Sequence, residues 1–215
     1  MRATGKTGRI VAFFAMLAVA LPLWAASAKP REIVEGVIDE LVGQMNTRRT
    51  ELQADTGKLY AMVDRVVLPH FDFRRMSRLV LGKNWKKASA AQQERFTKEF
   101  RDMLVRTYAT AMFEYTGKES IKYKPTKYID ERRAEVDADV ILADGQQVPV
   151  IYSFLKLKTG EWKLYNLTIN GISLVMNYRT TYNDLIRARG LDAVIQDLAS
   201  KNHDKAIIDT GGKRG

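Results

Sequence analysis

The chain has 215 residues, 46% of them hydrophobic and 28% charged, with 35 Lys and Arg against 25 Asp and Glu and a formal net charge of +10. That composition excludes wholesale disorder and a polytopic membrane protein, and the length suits one sizeable domain with its own core. Cysteine is absent, which excludes disulfides, thiol chemistry and cysteine metal sites, so the fold must hold by its core alone.

Arg2, Lys6 and Arg9 precede an apolar run over residues 10–21, followed by Pro22 and by Ala26-Ser27-Ala28. This order of basic, apolar and small-residue regions is that of a secretory signal peptide, with cleavage expected after Ala28. A membrane anchor would need roughly 20 apolar residues, and this run is shorter. Residues 1–28 are therefore expected to be removed, residues 29–201 to form a single domain, and residues 202–215 to be a flexible polar tail. Removal takes three basic and no acidic residues, which leaves a net charge of +7. An exported basic protein meets lipid headgroups and acidic protein surfaces, not nucleic acid; a merely solvated surface is the other reading.

Over residues 31–53, Ile33, Val34, Val37, Ile38, Leu41, Val42 and Met45 recur at helical spacing and form one apolar stripe, as of a helix that docks on something. A second helix over 59–68 stops at Pro69, and a third begins after it, with Asp72 as N-cap and Gly82 at its C-terminus. Ser89-Ala90-Ala91-Gln92 is a capping box opening the longest helix, to about residue 115, with Phe96, Phe100, Leu104, Tyr108 and Met112 at steps of four. From spacing alone this stripe is ordinary core.

Residues 120–124 alternate as a first strand. Val136, Ala138, Val140 and Leu142 then alternate with Glu135, Asp137 and Asp139, so the acidic groups share the wet face. Asp144-Gly145 makes a hairpin into Val148, Val150, Tyr152 and Phe154, and Pro149 implies an edge position or a bulge. Thr159-Gly160 turns the chain into residues 162–169, apolar on both faces and hence expected to be central. Gly171 breaks that strand, and helices follow over 172–189 and 191–198.

Chemistry is sought and mostly not found. His70 stands in a helix junction and His203 in the expected tail, so neither a metal site nor a histidine acid–base pair is expected. No phosphate loop, dinucleotide fingerprint or Gly-x-Ser-x-Gly elbow occurs. Basic residues do gather between Arg74 and Lys87, around Trp85. They are either a solvated face or a rim meeting phosphate headgroups or an acidic partner, with Arg74, Arg78, Trp85 and Lys86 as candidates.

Two blocks carry a family resemblance. The first is Pro69-His70-Phe71-Asp72-Phe73, Val80-Leu81-Gly82-Lys83-Asn84-Trp85, Ala88-Ser89, Phe96, Phe100, Leu104 and Tyr108. The second is Asp144-Gly145, Val148-Pro149-Val150-Ile151-Tyr152, Gly160-Glu161-Trp162-Lys163-Leu164-Tyr165 and Gly171-Ile172-Ser173-Leu174-Val175-Met176-Asn177-Tyr178-Arg179. Together, over residues 31–201, they resemble the periplasmic phospholipid-binding MlaC or toluene-tolerance family, with Asn170 where an acidic residue is expected.

The resemblance implies an α+β fold: a twisted, mainly antiparallel NTF2-like sheet covered by several helices, with an apolar lipid pocket between sheet and helices. It implies a non-enzymatic carrier in the periplasm of a Gram-negative cell, with phospholipid as cargo and no cofactor. The implied partners are an outer-membrane lipoprotein complex and an inner-membrane ABC transporter complex with its periplasmic lipid-binding subunit. On that basis the expected pocket wall is Phe96, Phe100, Leu104, Tyr108, Val140, Val150, Tyr152, Tyr165, Leu167 and Ile169. Competing readings are an isomerase or dehydratase on a similar cone-shaped sheet, needing a buried carboxylate with a tyrosine donor, and an adaptor binding a partner helix.

Overall fold

The computed structural model describes residues 28–211, with side chains to residue 203, so the expected signal peptide lies outside the described residues except for Ala28. Helix α1 (Pro30–Ala54) opens on a proline, whose missing N–H is one no helix start would use, and Glu32 accepts the Lys29 amide at 2.8 Å. Asp55 ends it and caps α2 (Thr56–Val66), accepting from Gly57 at 3.0 Å and Lys58 at 3.4 Å. A 3-10 turn, Leu68–His70, contains Pro69 and delivers Phe71.

Asp72 caps α3 (Phe73–Leu81) by accepting the Arg75 amide at 2.8 Å. Gly82, at φ +55°, then turns the chain into a short helix the spacing does not announce, α4 (Lys83–Lys87). The Ser89–Gln92 box opens α5 (Ala90–Tyr108) with reciprocal bonds of 3.2 and 2.9 Å. This helix ends before residue 115 and tightens into a 3-10 turn, Ala109–Glu114.

Among the described residues six strands follow: β1 (Ser120–Tyr123), β2 (Lys127–Asp130), β3 (Arg133–Ile141), β4 (Gln147–Lys156), β5 (Trp162–Ile169) and β6 (Ile172–Ser173). Every pairing is antiparallel, in the order β1-β3-β4-β5-β6, with β2 paired to β3 beyond β1. Two of these strands escape the sequence reading. β2 is exposed throughout and so shows no alternation, and β6 has only two residues.

Two expectations for the sheet are corrected. Pro149 sits neither at an edge nor in a bulge: it pairs with Asp139 inside β4, and its carbonyl accepts the Asn170 amide at 3.0 Å. The N–H that proline lacks would point the same way, so the bond forgone is the reciprocal one to Asn170, at the end of the β4–β5 ladder. β5 is not central either. Among the described residues, beyond it stand only β6 at one end and Phe71 at the other, in a parallel bridge to Leu164. Its apolar groups on both faces come from a bulge: Phe154 pairs with Leu164 but Ser153 with Asn166, so Tyr165 is an extra residue.

Helices α6 (Leu174–Arg189) and α7 (Leu191–Gly211) close the fold. The expected tail from Asn202 is helical up to Gly211, and Asn202 itself is buried, its Nδ2 donating to the Glu99 carbonyl at 3.0 Å and carboxylate at 2.9 Å. Phe96, Phe100 and Leu104 of α5 pack with Met76 and Val80 of α3, Tyr182 of α6 and Ile195 of α7. The second half of α1 packs on α2 through Met45, Leu52, Leu59 and Met62, whereas its first half lies on the sheet, with Val34 against Ala134, Val136 and Phe154.

Candidate functional site

One face of the sheet is set by register. Val136, Ala138 and Val140 of β3 oppose Tyr152, Val150 and Val148 of β4, and Tyr152 and Val150 in turn oppose Leu167 and Ile169 of β5. Cross-strand partners point to the same side, so these residues make one apolar surface. α1 crosses it and leaves space beneath.

Between α1 and β4–β5 lies a cavity of about 210 Å³. Ile33, Val37, Ile38 and Leu41 form its helical wall, Tyr152, Phe154, Leu164 and Leu167 its floor, and Val67, His70 and Phe71 one end. A second, of about 520 Å³, continues past Ile38, which lines both, to Val42, Tyr115, Ile121, Tyr123 and Val140. The two form a trough along α1 over the sheet. The narrower part is lined by only two titratable groups, His70 and Tyr152, whereas the wider one opens among Asp39, Glu114 and Glu119.

Electrostatically the narrow part of the trough favours neutral species. Burial, followed by the positive charge of Lys163, holds the His70 pKa below its ordinary value, so the ring is neutral near pH 7. Burial pushes the Tyr152 phenol up, and burial with the neighbouring Tyr152 pushes Tyr123 up to about 12. The isomerase-type alternative needs a buried carboxylate beside a tyrosine, and the narrow cavity pairs its tyrosine with none. Among the described residues no group of three His, Cys, Asp or Glu is placed to hold a metal.

The expected wall is divided by the structure. Tyr152 and Leu167 line the narrow cavity and Val140 the wide one. Val150 shares their face but is buried between Ala138 and Ile169, and Ile169 is exposed. Tyr165 is the bulge residue, its ring 5.0 Å beneath the Arg75 guanidinium. Phe96, Phe100 and Leu104 are placed in the helix-to-helix core, away from the trough, because their stripe is matched by α3, α6 and α7. Tyr108 is exposed, its hydroxyl 3.4 Å from that of Tyr178.

None of the four rim candidates lines either part of the trough. Arg74 stacks over Trp85 at 5.4 Å and reaches Gln93 at 3.4 Å, Trp85 is buried in the helical core, and Arg78 and Lys86 are exposed. What the expectation omits is the α1 wall. Its stripe at 33, 37, 38 and 41 is as visible as that of α5, but the spacing does not say which stripe faces protein and which faces space.

A helix laid over one face of an antiparallel sheet, with an apolar trough between them, defines a protein that holds an apolar ligand without bonding to it. The chain belongs to the MlaC protein family, whose pattern matches residues 35–200. It is 28% identical over 179 residues to the toluene tolerance protein ttg2D of Pseudomonas putida, with 82% of each chain covered. The intermembrane phospholipid transport system binding protein MlaC of Haemophilus influenzae is 24% identical over 176 residues, 80% of this chain and 82% of that one. Among solved structures, the phospholipid-binding protein of Ralstonia solanacearum, in complex with a phospholipid, matches with a TM-score of 0.74 and 26% identity, over 83% of this chain and 99% of that one.

Proposed function

We propose that this chain is a periplasmic carrier that holds a phospholipid by its acyl chains and exchanges it with no covalent step. The observation that carries the reading is the trough between α1 and the sheet, whose narrow part is almost wholly apolar. Its wall is assigned to Ile33, Val37 and Ile38 of α1 with Val140, Tyr152 and Leu167 of the sheet. Phe96, Phe100 and Leu104 then hold the helices together.

Burying both acyl chains, on the order of 30 methylenes at about 0.8 kcal/mol each, transfers roughly 25 kcal/mol of gross free energy out of water. A bilayer offers the same environment, so the net preference of the lipid for carrier or membrane is close to zero. Exchange is then cheap in both directions, and direction must come from partners that bind loaded and empty carrier differently. On this reading those partners are an outer-membrane lipoprotein complex and an inner-membrane ABC transporter complex with its periplasmic lipid-binding subunit. The signal-peptide pattern in residues 1–28 supports export to the periplasm.

Organic extraction of protein purified from a membrane-containing host, followed by mass spectrometry, tests the reading. Stoichiometric phospholipid is expected, and a lipid-free preparation would overturn it.

A further inference from the structure

β5 and β6 are joined by a two-residue turn in which Asn170 and Gly171 take φ of +50° and +77°, the left-handed pair that closes a tight hairpin. At its tip Ile169 and Ile172 oppose each other, 41% and 64% exposed, and Met176 in the first turn of α6 is 54% exposed. Half of the large apolar side chains most exposed among the described residues are thus gathered at this one corner. Ile169 follows Leu167 on the same face of β5, and Leu167 lines the narrow cavity. An apolar stripe therefore runs from the trough to the tip.

Cations flank that tip. Arg179, one turn past Met176, lays its guanidinium on Gly82, where an added Cβ would stand 3.1 Å from Nη2. Gly82 joins α3 to α4, and Arg78, Lys83 and Lys86 are exposed on either side of it. None of these four cations has a carboxylate partner among the described residues, whereas Lys58, Lys98, Lys124, Arg133 and Lys201 all do. An acidic protein surface accounts for the cations, but it would need an apolar centre as well to cover the three apolar side chains. An anionic bilayer accounts for both, with the apolar groups below the headgroups and the cations at the level of the phosphates.

We infer that the β5–β6 tip, Met176 and the Arg179–Gly82 corner form a docking edge for an anionic membrane surface. There the apolar stripe leading from the trough meets the lipid. The inference deepens the carrier reading, on which it rests for its purpose, but vesicle binding is measured independently of cargo.

The test is co-sedimentation of the mature protein with vesicles of phosphatidylcholine alone and of phosphatidylcholine mixed with phosphatidylglycerol. Binding is expected only to the mixed vesicles and should weaken as salt rises. Arg78→Glu with Lys83→Glu, and separately Ile172→Ser with Met176→Ser, should each weaken it by about tenfold or more. Arg132→Glu with Lys158→Glu, at the opposite end of the sheet, should leave it within about twofold of the parent. Absence of binding by the parent, or an equal loss in the opposite-end variant, would overturn the inference. Vesicle binding by a protein whose extract holds no phospholipid would support the docking edge while sinking the carrier reading.

Discussion

The backbone N–H of Asp72 donates to the carbonyl of Leu164 at 2.8 Å, so the residue that caps α3 is also tied to the strand that floors the cavity. Phe71, beside it, stands at one end of the cavity and touches both the helical core and the sheet core. The junction therefore couples the helical layer to the trough.

Leu164→Ala tests that coupling. Leu164 is 4% exposed and packs under Val34, so its truncation should cost about 2–5 kcal/mol of stability and enlarge the cavity. Urea unfolding gives the first quantity. Lipid per chain in the organic extract should persist, because the lining stays apolar; complete loss of lipid in a folded variant would show that the floor is shaped to its cargo more tightly than the reading allows.

A pair of substitutions separates the two helices that sequence alone makes equivalent candidates for the wall. Ile38→Glu places a carboxylate where the two parts of the trough meet, on a half-buried helix face. The protein should stay folded by circular dichroism and lose its lipid. Phe100→Ala, in a fully buried site of the helical core, should instead cost about 3–5 kcal/mol and leave the lipid content of the surviving folded fraction unchanged. The reverse pattern would return the wall to α5.

What the sequence makes legible follows from where packing is periodic. The α5 stripe, the β3–β4 alternation, the Asp72 and Ser89 caps and the hairpin glycine all read directly, because each is a local rule applied to consecutive residues. Tyr165 does not, since one extra residue in a strand looks the same in sequence as a strand buried on both faces. β2 does not, because an exposed edge strand has no buried face to mark it. The trough is the hardest to read: Val37 and Phe100 occupy similar stripes, and only the tertiary partner of each decides that one lines a cavity and the other fills a core.

Asn202 carries the next expectation. Its side chain gives two hydrogen bonds to Glu99 and is 7% exposed, so α7 is fastened to α5 at a place where a flexible tail would be inert to mutation. Asn202→Ala removes both bonds, one of them to a charged group, and should cost about 1–3 kcal/mol in chemical denaturation. A variant as stable as the parent would mean that the folded domain ends before this residue.

His70 sets the last expectation, which concerns pH. Its pKa is lowered from the ordinary 6.5, by burial first and then by Lys163, whose Nζ donates to the Pro69 carbonyl at 2.8 Å next door. Between the folded-state value and 6.5 the unfolded ring takes up a proton that the folded ring refuses, so the unfolded state binds more protons there. The contribution is fully present above pH 6.5, is lost as pH falls through that window, and levels off below the folded-state value. Glu32, Glu40 and Arg65 line the neighbouring cavity with His70. Urea midpoints measured across the mildly acidic range should therefore fall for the parent and stay flatter for His70→Gln, the two curves separating only below pH 6.5. Parallel curves would show that the ring is as free to take a proton in the folded protein as in the unfolded chain.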